Sequence, residues 1–238
     1  MMKRLLIGSM LAAALPGLSL AGDIANIQPI GFSADGKVFG FQEFGIKEEG
    51  GAPYSNTYFI DTENGQYLEG TPFRTEMADK DANLSKARRQ NLTAARSQMD
   101  KYDLLTNPGL IAAFNPPTEL GSPAKTIRYT TLATDGPPKS PYTLSLGEMP
   151  VPTPKDCAAV DKRVLGFSLQ MIEKQGAPNR QAARQATAIP AERACSVEYR
   201  IGGAVVYQPE AGNQVHIALV LAFDADRNGR WIAVPVHP

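Results

Sequence analysis

The chain is poor in the residues that carry most metal and nucleophilic chemistry. Its 238 residues include two histidines, His216 and His237, and two cysteines, Cys157 and Cys195. No C-x-x-C spacing or neighbouring histidine pair builds a zinc framework. No G-x-S-x-G elbow presents a nucleophile, and no Gly-rich loop leads from a strand into a helix to cradle phosphates. No basic block occurs: 24 Lys and Arg face 24 Asp and Glu, so nucleic acid and anionic membrane surfaces are poor partners. A βαβα rhythm is missing as well, which excludes a doubly wound parallel sheet.

The one membrane-directed feature is at the start. Lys3 and Arg4 precede an apolar stretch from Leu5 to Leu18, and Ser19-Leu20-Ala21 sets small residues before Gly22. That pattern predicts a secretory signal peptide over 1–21, cleaved on export, with no spanning segment in the mature chain. About 217 residues then remain, within reach of a single domain at 22–238. Cleavage removes two cations, so 22 basic residues face 24 acidic ones, a net charge near −2. In an exported chain an even pair of cysteines is most simply a disulfide, Cys157 to Cys195; two free thiols or half a metal site is the competing reading.

Two β-hairpins are predicted between Ile27 and Arg74, forming a four-stranded meander. Asp35-Gly36 and Asn64-Gly65 sit between apolar runs, and both pairs accept the positive φ that tight hairpin turns require. From Thr75 to Leu105 the character changes: Gly and Pro are absent, and Leu84, Ala87, Leu92, Ala95, Met99 and Tyr102 recur at helical spacing. This predicts one long amphipathic helix over about 76–105, with Glu76, Asp79 and Asp81 at its positive end. Its basic face, Lys86, Arg88, Arg89 and Arg96, reads as a solvated face or a docking surface.

Strand-like segments follow at 110–114, 126–132, 142–146, 164–171, 196–207, 215–223 and 230–236. Met149 to Pro154 carries three prolines and is expected as extended polyproline-like chain. The stretch 136–155 is a possible subdivision of the domain, and 176–194 is open between loop and short helix. The fold class is α+β, β-rich, with mostly antiparallel sheets built from hairpins and one long helix.

Three functional readings compete. The leading one is a non-enzymatic exported binding protein that engages a protein or envelope glycan through the meander and the loop Gly45 to Ser55. There Phe44, Tyr54 and Tyr58 would supply contact area, and Lys47, Glu48 and Glu49 polar specificity. The second is a carboxylate-based hydrolase acting on an envelope polymer, for which Glu43, Glu48, Glu49 and Asp61 are candidates. The third is a calcium-stabilised module. Asp224, Asp226 and Asn228, followed by Gly229, match the first half of a calcium loop, but Pro235 stands where the closing Glu belongs. No other cofactor is expected. His216, between Val215 and Ile217, reads as a structural or surface strand residue.

Phe32-Ser33-Ala34-Asp35-Gly36-Lys37 resembles a blade motif of TolB-type β-propellers, but it occurs once and a propeller needs several copies. A broader resemblance covers the whole mature chain. Gly22-Asp23, Ile30-Gly31-Phe32-Ser33, Phe41-x-Glu43-Phe44-Gly45, Pro53-Tyr54-Ser55, Gly70-Thr71-Pro72, Arg193-x-Cys195 and Tyr199-Arg200-Ile201 are similar to a bacterial family of predicted secreted proteins, domain of unknown function 2259. The chain departs from that family's pattern at Asp224–Gly229, where a Gly-Phe-Glu-Gly-type loop is expected. The resemblance implies an exported, disulfide-bonded protein and brings no activity, cofactor or site residue with it.

Overall fold

The computed structural model describes residues 22–78, 82–133, 136, 140–157, 163–179, 182–185 and 189–238. The first sheet is the expected meander, β1 (Asn26–Phe32), β2 (Val38–Ile46), β3 (Pro53–Asp61) and β4 (Phe73–Glu76), antiparallel and in sequence order. Helix α1 (Leu84–Lys101) and a short 3-10 turn (Leu104–Thr106) follow, then β5 (Leu110–Phe114), β6 (Thr126–Tyr129), β7 (Tyr142–Pro150), β8 (Leu165–Lys174), β9 (Ala177–Pro178) and β10 (Ala182–Gln185). The chain finishes with β11 (Glu198–Tyr207), β12 (Val215–Phe223) and β13 (Gly229–Val236). A second sheet has the order β10-β8-β7-β6 with β9 on β8, and a third has β13-β12-β11-β5.

Alternation along β12 shows how the layers stack. Ala218, Val220 and Ala222 pack into one core, with Leu144, Leu146, Phe167 and Leu169 of the second sheet. Ile217, Leu219, Leu221 and Phe223 pack into the other, with Phe39, Phe41, Tyr58 and Ile60 of the first sheet. The third sheet is therefore a middle layer covered on both faces, which is why its strands read as nearly unbroken apolar runs. On the far face of the first sheet, Val38 and Phe59 meet Ala95, Met99 and Leu104 of the helical segment. The layers run helix, first sheet, third sheet, second sheet.

Helix α1 is shorter than its sequence pattern. It begins at Leu84, where the Asn83 side chain accepts from the Lys86 amide as N-cap. Glu76 is not in the helix but ends β4, because the edge of β3 offers Phe73–Glu76 a hydrogen-bonding partner. Asp79 and Asp81 lie outside the described residues. The helix stops at Lys101, and Asp103 then adopts a left-handed conformation (φ 52°) ahead of the 3-10 turn.

Other expectations are corrected as well. Strand pairing continues to Ile46 and Pro53, so both ends of the Gly45–Ser55 segment are strand and its loop is only Lys47 to Ala52. Tyr67 and Leu68 touch β3 through an isolated bridge at Ile60, and the regular fourth strand comes later. Met149 and Pro150 belong to β7, opposite Gly166 and Leu165, and extended polyproline-like chain can start only after them. Within 176–194 the described part holds β9, β10 and a 3-10 turn at Ala191–Arg193. Gly31 (φ +152°) breaks the β1 register; a Cβ there would lie 2.0 Å from the Leu104 carbonyl oxygen, so only glycine lets the 3-10 turn close against β1.

The helix–sheet interface has a polar centre. Asn91, fully buried, lies on the same stripe as Ala87, Ala95 and Met99. Its Oδ1 accepts from Thr57 (2.6 Å) and Ser55 (3.3 Å), and its Nδ2 donates to the Phe73 carbonyl (2.9 Å). Ser55 in turn accepts from Gln42 Nε2 (2.9 Å). Asn91→Leu leaves these buried groups unpaired and is expected to cost about 3 kcal/mol in urea unfolding. A neutral result would show that the helix is held by its apolar contacts alone.

Candidate functional site

Between the first and third sheets lies a buried ionic junction. Glu43 alternates with Phe39 and Phe41 along β2 and so projects into the core, where it is 0 % exposed. Its Oε1 accepts from Arg193 Nη2 (2.9 Å), the Tyr58 hydroxyl (2.7 Å) and Asn56 Nδ2 (3.1 Å). Its Oε2 accepts from the Trp231 amide of β13 (2.9 Å), where a neighbouring strand would otherwise supply a carbonyl. Burial opposes the Arg193 charge, but Glu43 and the adjacent tyrosines outweigh it and hold the guanidinium pKa above its ordinary value. Burial, reinforced by the Glu43 charge, raises the Tyr58 pKa.

Arg193 reaches this position from the Ala191–Arg193 turn, two residues before Cys195. The expected disulfide is present, with Cα atoms of Cys157 and Cys195 5.3 Å apart. On the chain-entropy account a loop of this length stabilises by about 4 kcal/mol.

A second cluster lies beside it. Asp23 accepts from Arg230 (2.7 Å) and the Tyr54 hydroxyl (3.2 Å), and its amide donates to Asn228 Oδ1 (3.0 Å). The Arg230 guanidinium lies 4.7 Å from the centre of the Tyr54 ring. Asp224 Oδ1 accepts from the amides of Asp226 and Asn228, and its Oδ2 from Asn228 Nδ2. The calcium-like residues thus close the β12–β13 turn on themselves, with Asp226 exposed at its tip. Among the described residues no group of three or more His, Cys, Asp or Glu is arranged to hold a metal ion.

The residues expected to form a contact surface are divided. Tyr54 and Tyr58 are 3 % and 1 % exposed, and as core residues they offer no contact area. Glu48 and Glu49 are exposed at the β2–β3 tip, and Lys47 pairs with Glu76 (2.7 Å). Phe44 is half-buried on the helix side, with the Arg88 guanidinium stacked 3.8 Å above its ring. Asp61 accepts from the Glu63 and Asn64 amides and shapes a turn. None of the four carboxylates considered for hydrolysis is paired with another: Glu43 is enclosed, Asp61 is a turn residue, and Glu48 and Glu49 are exposed.

Arg88 opens onto a cavity with a mixed lining. A groove of about 650 Å³ runs between α1 and the edge strand β1, floored by Ile30, Leu92, Met99 and Leu105. Arg88, Arg89 and Arg96 line the helix side. Between Leu84 and Lys101 the helix carries five basic residues and one acidic, a local charge of +4 on a nearly neutral chain. Arg88 is fixed in place: its Nε and Nη2 donate to Gln42 Oε1 (3.0 Å each), Nη2 also to Gln28, and Nη1 has no partner among the described residues. Arg96 pairs with Asp100 one turn on (2.8 Å), and Arg89 has no ion-pair partner.

The family model for DUF2259, predicted secreted protein, matches residues 40–237. The chain belongs to this family. That description agrees with the expected export; residues 1–21, the predicted signal peptide, lie outside the described residues. No curated protein matches the chain. The part of this DUF2259 member covered by the match includes Glu43, α1, both cysteines and Arg193.

Sequence reasoning singled out the basic face of α1 but not the groove beside it, because the wall at Gln28–Ile30 is supplied by tertiary packing. Arg193 was visible only as a neighbour of Cys195.

His216 is buried on the second-sheet side of β12, its Nδ1 2.9 Å from the Tyr129 hydroxyl and its Nε2 3.1 Å from Gln214 Oε1. Burial pulls its pKa down to about 4. The unfolded chain therefore takes up a proton near pH 6.5 that the folded chain refuses until about pH 4. Stability is retained above pH 6.5 and falls by about 3 kcal/mol as pH drops to 4. His216→Gln should flatten that part of the pH–stability curve, as read by urea unfolding at each pH.

Arg193→Met leaves the Glu43 carboxylate buried without its counter-charge and is expected to cost about 3–5 kcal/mol. Adding Glu43→Gln should recover much of it, as measured by denaturant midpoints of the single and double variants. Independent, additive losses would show that the two charges do not act as a pair.

Proposed function

We propose that this DUF2259 member is an exported binding protein. Its ligand is an anionic amphiphile, an apolar chain ending in a phosphate or carboxylate, seated in the groove between α1 and β1. The reading is carried by one observation: an apolar floor and three arginines share one groove, on a chain otherwise close to neutral. The floor removes the apolar chain from water, at about 25 cal/mol per Å² of buried surface. Arg88 is already oriented by Gln28, Gln42 and Phe44, so its free Nη1 can receive an anion without ordering the side chain anew.

A hydrolytic role finds less support. Glu43 has both oxygens engaged by donors from within the core, so neither is free to accept a proton from a substrate. Binding through the meander and its 45–55 segment is also less favoured, since Tyr54 and Tyr58, two of the three aromatic residues expected to supply contact area, are core residues.

Dodecyl phosphate below its micellar concentration is the test ligand, with dodecyl maltoside as the uncharged control, both followed by calorimetry. Dodecyl phosphate should bind more tightly than the maltoside. The Arg89→Glu, Arg96→Glu variant should weaken it about tenfold, or about 1.4 kcal/mol, with the melting temperature little changed. Equal affinity for both amphiphiles, or indifference to the charge reversal, would overturn the reading.

A further inference from the structure

A second cavity, of about 500 Å³, opens where β7, the β8 turn and the β11–β12 connection meet. It differs in kind from the arginine groove. Its walls carry Tyr142, Lys174, Gln175, Asn213 and Gln214, with His216 at the base. No Asp or Glu lines it; Lys174 is its one constitutively charged side chain, and Gln208, His237 and Pro238 complete the lining.

We infer that this cleft binds a short saccharide. Amides present a donor and an acceptor side by side, matching the vicinal hydroxyls of a sugar, each of which both donates and accepts. Among the described residues, neither the Gln175 nor the Asn213 amide has a hydrogen-bond partner, and neither do the Tyr142 hydroxyl and the Lys174 ammonium. Gln214 uses its oxygen on His216 and keeps its amino group. An aggregate of this many uncommitted polar groups around one concavity is suited to a ligand that is polar throughout and largely uncharged.

The base of the cleft is rigid. His216 is packed between Tyr142 (ring centres 5.0 Å apart) and Tyr129 (5.7 Å), and Tyr129 in turn stacks on Tyr142 (5.7 Å). The low pKa of His216 keeps the imidazole neutral across the physiological range, so the floor presents no charge to be compensated. Gln175 is set at the rim by its left-handed backbone (φ 51°), and the next amide, Gly176, is fixed to the Pro141 carbonyl (2.8 Å). The volume falls within the usual range for small-ligand sites, about 300–1,000 Å³, and admits a disaccharide. This site is separate from the arginine groove and shares no lining residue with it.

The test is an NMR titration of the folded, oxidised protein with cellobiose, maltose and N,N′-diacetylchitobiose, reading the His216 and Tyr142 ring signals. Inorganic phosphate serves as the anion control. At least one disaccharide should give saturable shifts at millimolar concentration or below, and phosphate should not. Lys174→Ala with Asn213→Ala removes two unpartnered surface groups and should weaken the effect at least tenfold without lowering the melting temperature. Three outcomes would each overturn the inference: no shift with any disaccharide, equal shifts with phosphate, or shifts indifferent to the double substitution. None of these bears on the dodecyl phosphate experiment, which reads the other groove.

Discussion

Burial of the third sheet on both faces is the constraint from which the other layers follow. Odd and even residues of β12 serve two different cores, so the strand has no solvent face on which to place a charge. The first and second sheets each cover one side of that slab, and α1 in turn covers the far face of the first. Polar groups that the middle layer cannot accommodate are concentrated at its borders: Glu43 with Arg193 against β13, and Asp23 with Arg230 beside the β12–β13 turn. Burying such groups is costly unless every lone pair and proton is met, and the arrangement around Glu43 meets both carboxylate oxygens.

The first sheet mediates between two unlike neighbours. Its inner face is aromatic, with Phe41 stacked on Tyr58 at 4.8 Å and Phe32 beside Phe39 at 4.7 Å. Its outer face is polar at the centre, where Gln42, Ser55 and Thr57 meet Asn91. Gln42 belongs to both this network and the groove, since its amino group donates to Ser55 while its oxygen holds Arg88. The residues that anchor the helix also orient the arginine that lines the groove.

Much of the architecture was legible in the sequence, for reasons tied to particular residues. Asp35-Gly36 marked the β1–β2 turn, Asn64-Gly65 the turn that leaves β3, and Asp224 to Gly229 the last hairpin. The apolar spacing of α1 gave its existence and its buried side, but not its start, because Glu76 is as compatible with a strand edge as with a helix terminus. Asn91 escaped notice since a polar residue on an apolar stripe looks like a gap in the pattern until Ser55 and Thr57 are placed opposite. Tyr54 and Tyr58 were misjudged because alternation along β3 shows that they share a face without showing which face is inside. The Cys157–Cys195 pairing needed only parity and compartment. The two cavities needed the assembled fold, as each is walled by segments far apart in sequence.

Asp23 grips Asn228 and Arg230, and Ile24 bridges in parallel to Gly229, so the two ends of the described chain are fastened to each other. For a chain synthesised from its N-terminus onwards this has a temporal meaning. Its first segment emerges more than 200 residues ahead of its partner and waits unpaired until the final hairpin arrives. Closure of the ends therefore requires the final hairpin to be present. A chain cut short before β13 leaves Asp23 without Arg230 and the Glu43 Oε2 without the Trp231 amide, so two buried carboxylates each lose part of their hydrogen bonding.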